Sequence, residues 1–442
     1  MITDLNETTA VSIQNPATRS YAEQYVRIYQ DFTDQVRQMG MEFEEQDNSQ
    51  QVRERIVNLG KRGAVVRNDG KSVYVNRISA ACQACQTAVG SHTFFVSLKC
   101  HRNCFFCFNP NQEEYDQFRE TTRDTIKELD QLRASGDSVQ HLALTGGEPL
   151  LYKEETLHFF QHARQNFPHS YTRLYTCGDH LDRETLQSFK DAGMNEIRFS
   201  IRIEDTEIAQ QHTYDQITLA REYIPNVMVE MPVLPGALEE MKVVLTKLDG
   251  LDVFGINLLE FCFPYHNADV YRQRGYRIKA RPFRVLYNYW YAGGLPVASS
   301  ETTCLDLIEY ALEAGLKLGV HYCSLENKHT GQVYQQNKAH LISKTLYFSQ
   351  KDYFLKCAKV FGKDNSDVQQ LLDKNGCHDY QFEESGPSLV FHVSKVKLLK
   401  KLNRPVEVGI STNILEERNG EPVLRELNLD LTTPATFKLS DV

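Results

Sequence analysis

Apolar residues recur with two periods along the middle of the chain. Short runs of mainly apolar residues predict β-strands at Thr93–Leu98, His141–Thr145, Thr172–Thr176, Glu196–Ile201, Val227–Val233 and Gly255–Glu260. Between these runs, apolar residues three or four positions apart predict helices, for example at Thr122–Ala134, Glu154–Asn166 and Arg183–Ala192. A further pair, Cys304–Ala314 and Leu316–Cys323, predicts a helix and then a seventh strand or a seal at the sheet edge. Strands and helices that alternate in this way indicate βα units around a parallel sheet.

The two ends of the chain have other patterns. Near the N-terminus, Tyr21, Tyr25, Ile28, Phe32 and Val36 have the spacing of an amphipathic helix, and Asp69-Gly70 lies between two short apolar runs as in a β-hairpin. Beyond residue 325, mixed helical sequence precedes strands around an Asn419-Gly420 turn. We therefore predict an N-terminal extension (1–80), an α/β domain (81–325) and a small α+β module (326–442).

Composition limits the classes of function. The net charge of −9 and the lack of a long Lys/Arg tract argue against a nucleic-acid substrate. We expect no membrane span and a cytoplasmic protein, because no long apolar stretch and no signal-peptide pattern is present. In that reducing compartment, the 11 cysteines indicate metal ligands, catalytic thiols and buried small side chains rather than disulfides.

The most informative motif is the C-x₃-C-x₂-C spacing of Cys100, Cys104 and Cys107. Four cysteines would complete the ligand set of a [4Fe–4S] cluster, whereas three leave one iron free for a small chelating molecule. The alternative is a structural zinc ion. Zinc usually takes its ligands from two Cys/His pairs, and this spacing fits that arrangement poorly.

A second motif, Gly146-Gly147-Glu148-Pro149, directly follows the strand predicted at His141–Thr145. A Gly-Gly pair alone would indicate only a turn, but glycine also lets a ligand approach the backbone closely. Together, the cysteine triad and the GGEP sequence resemble the radical S-adenosylmethionine (radical SAM) superfamily over about residues 82–325. The stretch Ile256–Asp269, together with the C-x₂-C before the triad and Tyr322-Cys323-Ser324, resembles a branch of proteins related to pyruvate formate-lyase activating enzymes, with unassigned substrates.

This resemblance implies a partial (β/α)₆ barrel whose chemistry lies at the C-terminal ends of the strands. It implies that Cys100, Cys104 and Cys107 hold a [4Fe–4S] cluster and that Gly146, Gly147 and Glu148 hold the amino group of SAM. Ser200 and Arg202 would contact the SAM ribose or carboxylate, and Glu230 would lie beside the adenine. The alternatives are that Arg202 pairs with Glu204 at the surface and that Glu230 lies outside the barrel.

The remaining cysteines suggest further chemistry. Cys82 and Cys85 form a C-x₂-C pair, which predicts a zinc or auxiliary iron–sulfur site completed by Cys323, Cys304 or Cys262. A redox dithiol and unliganded thiols are the alternatives. Cys323 and Cys177 each follow or end a predicted strand, so they are candidate catalytic thiols, with a buried structural cysteine as the alternative.

The function implied by the resemblance is reductive cleavage of SAM to a 5′-deoxyadenosyl radical, which abstracts hydrogen from a peptide, protein or small molecule. An external donor such as flavodoxin or ferredoxin would supply the electron. Two other functions remain open from the sequence: an activase that installs a glycyl radical on a partner enzyme, and a non-catalytic metal-binding scaffold.

Overall fold

The computed structural model describes residues 2–287, 293–339, 343–383 and 388–442. In these ranges the helices are α1 (Glu7–Ser12), α2 (Pro16–Gln38), α3 (Ser49–Lys61), α4 (Ala80–Ala84), α5 (Tyr115–Glu120), α6 (Thr125–Ser135), α7 (Lys153–Asn166), α8 (Arg183–Asp191), α9 (Glu207–Ala220), α10 (Leu238–Gly250), α11 (Ala268–Gln273), α12 (Ser300–Glu313), α13 (Leu325–Asn337) and α14 (Asp364–Lys374). None of the described helices is long and apolar enough to cross a lipid bilayer.

The strands in the same ranges are β1 (Val65–Arg67), β2 (Ser72–Val75), β3 (Ser91–Phe95), β4 (His141–Thr145), β5 (Tyr171–Thr176), β6 (Glu196–Phe199), β7 (Asn226–Val233), β8 (Gly255–Glu260), β9 (Cys262–Phe263), β10 (Leu295–Pro296), β11 (Gly319–Cys323), β12 (Tyr347–Phe348), β13 (Leu355–Phe361), β14 (Tyr380–Glu383), β15 (Ser388–Phe391), β16 (Val408–Arg418) and β17 (Glu421–Thr432). They belong to two compact units.

The larger unit, residues 40–282 and 288–331, is built around a sheet with the strand order β1-β2-β11-β8-β7-β6-β5-β4-β3. Strands β3 to β8 and β11 are parallel, and the two edge strands, β1 and β3, do not pair with each other. This open parallel sheet confirms the α/β partial barrel that the sequence predicts. Leu142, Ala143 and Leu144 in β4 are fully buried, as expected for a parallel strand covered on both faces.

Local sequence signals explain where the helices of this unit begin and end. Asp182 caps α8 by accepting a hydrogen bond from the Thr185 backbone N–H at 2.7 Å. Gly193, with φ +73°, follows the end of this helix in a conformation that favours glycine. Helices α7 and α8 pack together through Phe160 and Phe189, whose ring centroids are 5.7 Å apart.

The hairpin predicted around Asp69-Gly70 is present, and it extends the large sheet. Its second strand, β2, pairs antiparallel with β11, so that Ser72 lies opposite Cys323. Val73 and Val75 of β2 are buried, which explains why the hairpin joins the sheet. The segment Leu316–Cys323 supplies the seventh parallel strand, β11, which pairs with β8.

The smaller unit, residues 1–39, 283–287 and 332–442, contains an antiparallel sheet with the order β14-β15-β13-β16-β17, and β12 pairs with β13. Asn419-Gly420 forms the predicted turn between β16 and β17, with φ values of +53° and +80°. A buried apolar cluster that includes Val360, Leu389 and Phe391 forms its core.

These two units differ from the three-part division predicted from the sequence. Residues 1–39 belong to the same unit as 332–442, whereas residues 40–80 belong to the unit that contains the parallel sheet. The reason is the packing of α2, where the Tyr21 ring lies 4.9 Å from the Phe361 ring and its hydroxyl donates to Glu426 at 2.7 Å. Contacts so far apart in the chain leave no local pattern.

Candidate active site

The loop after β3 carries Cys100, Cys104 and Cys107 at the C-terminal edge of the parallel sheet. The Arg102 backbone N–H donates to Cys100 Sγ at 3.4 Å, and the Cys107 N–H donates to the Cys104 carbonyl at 3.0 Å. Cys100 is exposed, whereas Cys104 and Cys107 are half-buried. Burial raises the pKa of all three thiols, that of Cys107 to about 11. A bound metal would therefore have to displace their protons.

The Gly-Gly turn after β4 holds this cysteine loop directly. The Gly147 N–H donates to the Ser97 carbonyl at 3.0 Å, and the Glu148 N–H donates to the Lys99 carbonyl at 2.8 Å. A Cβ atom at Gly147 would lie only 1.9 Å from the Lys99 carbonyl oxygen. Gly146 has φ +117°, which also favours glycine. The two glycines thus let the cysteine loop itself approach the turn, a role that the sequence did not reveal.

Glu148 fastens the turn to the end of β5. Its Oε1 accepts hydrogen bonds from the Leu150 N–H at 3.0 Å and the Thr176 hydroxyl at 2.7 Å, and its Oε2 accepts one from the Cys177 N–H at 2.7 Å. The residue is 2 % exposed. A carboxylate can accept about four hydrogen bonds, so about one acceptor position remains for a ligand ammonium.

Ser200 and Arg202 follow β6 at the same edge of the sheet. The Ser200 hydroxyl donates to the Glu230 carbonyl at 3.2 Å. Arg202 lies 3.6 Å from Asp205, whereas Glu204 pairs with Arg274, so the structure does not show the Arg202–Glu204 pair that was the alternative. Phe106 of the cysteine loop and Arg202 line a small cleft. The other residues that line it follow β6 or belong to the β7 region, namely Ile201, Ile203, Glu204, Met231, Pro232 and Leu234.

Glu230 lies within β7 and is held by two partners. Its carboxylate accepts hydrogen bonds from Arg198 at 2.5 Å and from the Asn257 amide at 2.7 Å. Burial acts to raise the pKa of Glu230, but the charge of Arg198 and the Asn257 hydrogen bond outweigh it, so the pKa is lowered. The carboxylate is therefore bound within a polar network.

This network contains residues that the sequence did not single out. Arg198 also pairs with Glu196 at 2.6 Å, and His321 bridges Asn257 and Ser72, with 2.9 Å to each. All of them except Ser72 lie in strands β6, β8 and β11 of the parallel part of the sheet. The available signal was the charged pair Glu196 and Arg198 inside an otherwise apolar strand, because buried charges require partners.

Cys82, Cys85 and Cys323 lie near this network. Cys82 Sγ accepts hydrogen bonds from Arg198 at 3.3 Å and Asn257 at 3.1 Å. Burial raises the pKa of Cys323 to about 12, and the nearby Cys85 and Cys82 thiols add to this increase. Within the described ranges, the three sulfur atoms do not all lie within 4.8 Å of one another. Cys304 is fully buried, and Cys262 donates to the Gly293 carbonyl at 3.2 Å.

Cys177 follows β5 and has polar partners on both sides. Its Sγ lies 3.4 Å from Asp179 Oδ2 and 3.7 Å from His101 Nε2. Burial and the Glu148 carboxylate raise the pKa of this thiol far above its usual range. Burial also acts to raise the pKa of Asp179, but hydrogen bonds from Arg102 and His101 hold it at about 2. His101, Arg102 and Asp179 were not predicted as functional residues.

The fold and the site together define a class of protein: an open parallel α/β domain that presents three thiols on one loop beside a Gly-Gly turn. Residues 95–248 match the model of the Radical SAM superfamily, so this part of the chain is similar to that superfamily. This match supports an enzyme of a family that uses a [4Fe–4S] cluster and SAM. The soft thiol donors of the cysteine loop fit such a cluster. This assignment argues against the scaffold alternative.

Known proteins extend this comparison. The chain is 24 % identical over 330 residues to a Methanocaldococcus jannaschii protein named provisionally as a glycyl-radical enzyme activating enzyme, and the match covers 68 % of this chain and 82 % of that protein.

Among solved structures, Streptococcus suis SuiB bound to S-adenosylmethionine is 12 % identical with a TM-score of 0.40, covering 55 % of this chain and 52 % of SuiB. The enzyme anSMEcpe with bound AdoMet and a peptide is 16 % identical with a TM-score of 0.32. The match covers 39 % of this chain and 51 % of anSMEcpe. The chain thus spans about half the length of these two structures.

Proposed function

We propose that the protein cleaves SAM reductively at a [4Fe–4S] cluster bound by Cys100, Cys104 and Cys107, and that it abstracts hydrogen from a peptide, protein or small molecule. The observation that carries this proposal is the bonding of the cysteine loop to the Gly-Gly turn, where the Gly147 and Glu148 N–H groups donate to Ser97 and Lys99. This contact keeps the cluster ligands beside the motif to which SAM binding is attributed.

The cluster and SAM supply an electron-transfer centre and a carbon radical when both are bound. The chain contributes ligands and orientation. Three thiolates would occupy three irons and leave the fourth for SAM. Gly146, Gly147 and the remaining acceptor position of Glu148 would receive the SAM ammonium, and the Arg202 cation and Ser200 hydroxyl would meet its carboxylate or ribose. Glu230, bound by Arg198, would act beside the adenine through its backbone. An external reductant such as flavodoxin or ferredoxin would supply the electron.

The test is formation of 5′-deoxyadenosine by anaerobically reconstituted protein given SAM and dithionite. We expect Cys104→Ala to abolish the product because the cluster loses a ligand. Cys377→Ala is the matched control, since Cys377 is a half-buried cysteine of the other unit. Product formation that survives Cys104→Ala, or its absence from the wild-type protein with about four irons bound, would contradict the proposal.

A second candidate function is the activation of a glycyl-radical enzyme. The relative from M. jannaschii favours it, because the match covers 82 % of that protein. Its substrate would then be a large partner protein. The test is affinity capture of partners from the native host, followed by electron paramagnetic resonance after adding SAM and reductant. A glycyl radical on a captured protein, absent with Cys104→Ala, would support this function, and SAM cleavage with no protein radical would oppose it.

We also propose that Cys82 and Cys85 bind a second metal with Cys323, as a zinc or an auxiliary iron–sulfur site. The support is that the Cys82 and Cys85 thiols lie near enough to Cys323 to raise its pKa, and that Cys82 itself accepts hydrogen bonds from Arg198 and Asn257. Iron and zinc should be counted in the wild-type protein and in Cys82→Ala. Loss of about one zinc would indicate a structural ion, and loss of about four irons a second cluster. An unchanged metal content would leave the redox dithiol as the better explanation.

A further inference from the structure

A second group of metal-binding side chains lies beside the cysteine loop. His101 Nε2, Cys177 Sγ and Asp179 Oδ2 converge so that the three atoms lie within 4.8 Å of one another. His101 directly follows Cys100, whereas Cys177 and Asp179 belong to the loop after β5. We propose that these three side chains bind one zinc ion, in a site separate from both the [4Fe–4S] ligands and the Cys82/Cys85 pair.

The distances between the ligand atoms support this proposal. Zinc bonds of about 2.3 Å to sulfur and about 2.0–2.1 Å to nitrogen or oxygen place tetrahedral ligands about 3.3–3.6 Å apart. Cys177 Sγ lies 3.4 Å from Asp179 Oδ2 and 3.7 Å from His101 Nε2, which is close to these values. His101 and Asp179 are 2.6 Å apart because they share a hydrogen. A zinc ion would replace that hydrogen and widen this pair by about 0.7 Å.

The same geometry argues against a Cys-His-Asp catalytic relay. In a relay the acid binds one ring nitrogen of the histidine and the nucleophile binds the other. Here Cys177 and Asp179 both face Nε2 of His101. Cys177 Sγ, Asp179 Oδ2 and His101 Nε2 therefore surround a common point, as the ligands of a metal ion do. An ordinary His–Asp ion pair would not require the thiol at the same point.

The surrounding residues hold the ligands in place. Arg102 binds both oxygens of Asp179, with its Nη2 2.7 Å from Oδ1 and its Nε 2.8 Å from Oδ2. Glu148 accepts the Cys177 N–H at 2.7 Å. Outer partners of this kind orient metal ligands in proteins. Metal binding would require the Cys177 thiol to lose its proton to solvent.

A further histidine, His180, lies next to His101 but outside the group of atoms within 4.8 Å of one another. The His180 ring packs edge-on against His101, with 4.7 Å between the ring centroids. Its Nε2 is buried and has no hydrogen-bond partner in the described part of the chain. A side-chain nitrogen or a water molecule could complete four-coordination. The zinc ion would then connect the start of the cysteine loop to the loop after β5. We therefore expect bound zinc to slow the loss of iron from the cluster.

The experiment uses the full-length protein purified without oxygen or chelators. Zinc and iron are counted, and X-ray absorption at the zinc edge identifies the zinc ligands without interference from iron. We expect about one zinc per chain, with one sulfur at about 2.3 Å and nitrogen or oxygen at about 2.0–2.1 Å. Asp179→Asn, which preserves shape, and Cys177→Ser should each weaken zinc binding at least about tenfold. In the freshly purified variants, the iron content should equal that of the wild-type protein.

The controls separate this site from the others. Cys377→Ser should leave zinc unchanged, and Cys104→Ala should lose iron but keep the single-sulfur zinc, so failure of the cluster proposal would not affect this result. Cys82→Ser identifies any zinc at the other cysteine pair, which would show two or more sulfur ligands. The proposal is overturned if the wild-type protein neither contains nor takes up zinc at this site, or if Cys177→Ser and Asp179→Asn retain their zinc while Cys82→Ser loses it.

Discussion

At the scale of single residues, the absence of a side chain at Gly147 lets the cysteine loop approach the Gly-Gly turn closely. A methyl group there would lie 1.9 Å from the Lys99 carbonyl oxygen, and backbone cannot move aside as a side chain can. Gly147→Ala should therefore displace the loop, at a cost of at least about 1–3 kcal/mol. We expect most of the iron to be lost and SAM cleavage to fall about 100-fold, which corresponds to about 2.7 kcal/mol. Iron content and 5′-deoxyadenosine formation measure the effect.

The matched control is Gly250→Ala, since a Cβ at Gly250 would meet nothing within 4 Å. This variant should retain iron and activity. If Gly147→Ala behaved like Gly250→Ala, the cysteine loop could not be seated on the turn as described.

Glu148 permits a second prediction at this scale. In Glu148→Gln, one side-chain oxygen is replaced by an N–H₂ group, so at least one of the three buried donors loses its acceptor. An unsatisfied buried group costs about 1–3 kcal/mol, and we expect the free energy of unfolding to fall by that amount in urea titrations. Glu155→Gln, on the exposed face of α7, should change it little. A Glu148→Gln protein with wild-type stability but weaker SAM binding would instead make the carboxylate purely a ligand.

The sequence revealed the residues that lie in motifs and missed those that do not. Cysteine spacing and the GGEP sequence identified the loop and the turn because their chemistry depends on short local patterns. His101, Arg102 and Asp179 come together only through the pairing of β3, β4 and β5. Neither their spacing nor their residue types distinguish them from ordinary surface residues, so tertiary structure was needed to find them.

At the scale of elements, the parallel strands were predicted well because each is a short apolar run between helices. The predicted boundaries of β4 and β8 match those observed. The pairing of β2 with β11 was not predicted, because a hairpin pattern specifies its own partner but no third strand. In the polar network of β6, β7, β8 and β11, the sequence indicated Glu230 but not Glu196, Arg198 and His321, since strand patterns assign buried positions to apolar residues.

His321 of β11 gives this network a dependence on pH. The residue is 1 % exposed, and burial lowers its pKa to about 3. The unfolded chain has a histidine pKa of about 6.5, so below that pH it binds a proton that the folded state excludes. The contribution of His321 to the free energy of unfolding is therefore fully present above about pH 6.5. It falls by about 1.4 kcal/mol for each pH unit below that, or by about 2 kcal/mol at pH 5.

Urea unfolding at about pH 7.5 and about pH 5 tests this prediction. His321→Gln should be less stable at the higher pH, because its bonds to Asn257 and Ser72 are altered, but it should lose less stability on acidification. Replacing the exposed His212 should leave the dependence of stability on pH unchanged. If the free energy of unfolding changed equally with pH in the wild type and in His321→Gln, His321 would not be the source of this pH dependence.

At the scale of the whole molecule, the two ends of the chain form one compact unit, which the order of patterns along the sequence did not indicate. Besides Tyr21, Tyr25 donates to Glu426, and the Asn15 amide donates to Asp364 at 2.9 Å. Lys359 is 3 % exposed and pairs with Glu426 at 2.6 Å. The pairs made by Asn15, Tyr21 and Tyr25 join groups hundreds of positions apart, and both partners look like surface residues when each segment is considered alone.

Deletion of residues 2–39 should therefore destabilise the unit that contains residues 332–442 and spare the one that contains the parallel sheet. The deletion removes hydrogen-bond partners of Glu426 and Asp364 and uncovers Phe361, so the charged groups of β13 and β17 lose part of their compensation. Limited proteolysis should cut within 332–442 faster than in the full chain, while bound iron stays unchanged. Glu23→Ala, on the exposed side of α2, is the control and should digest like wild type. Unchanged digestion after the deletion would mean that residues 332–442 fold without the N-terminal segment, and the sequence-based boundary at residue 326 would then describe the chain better.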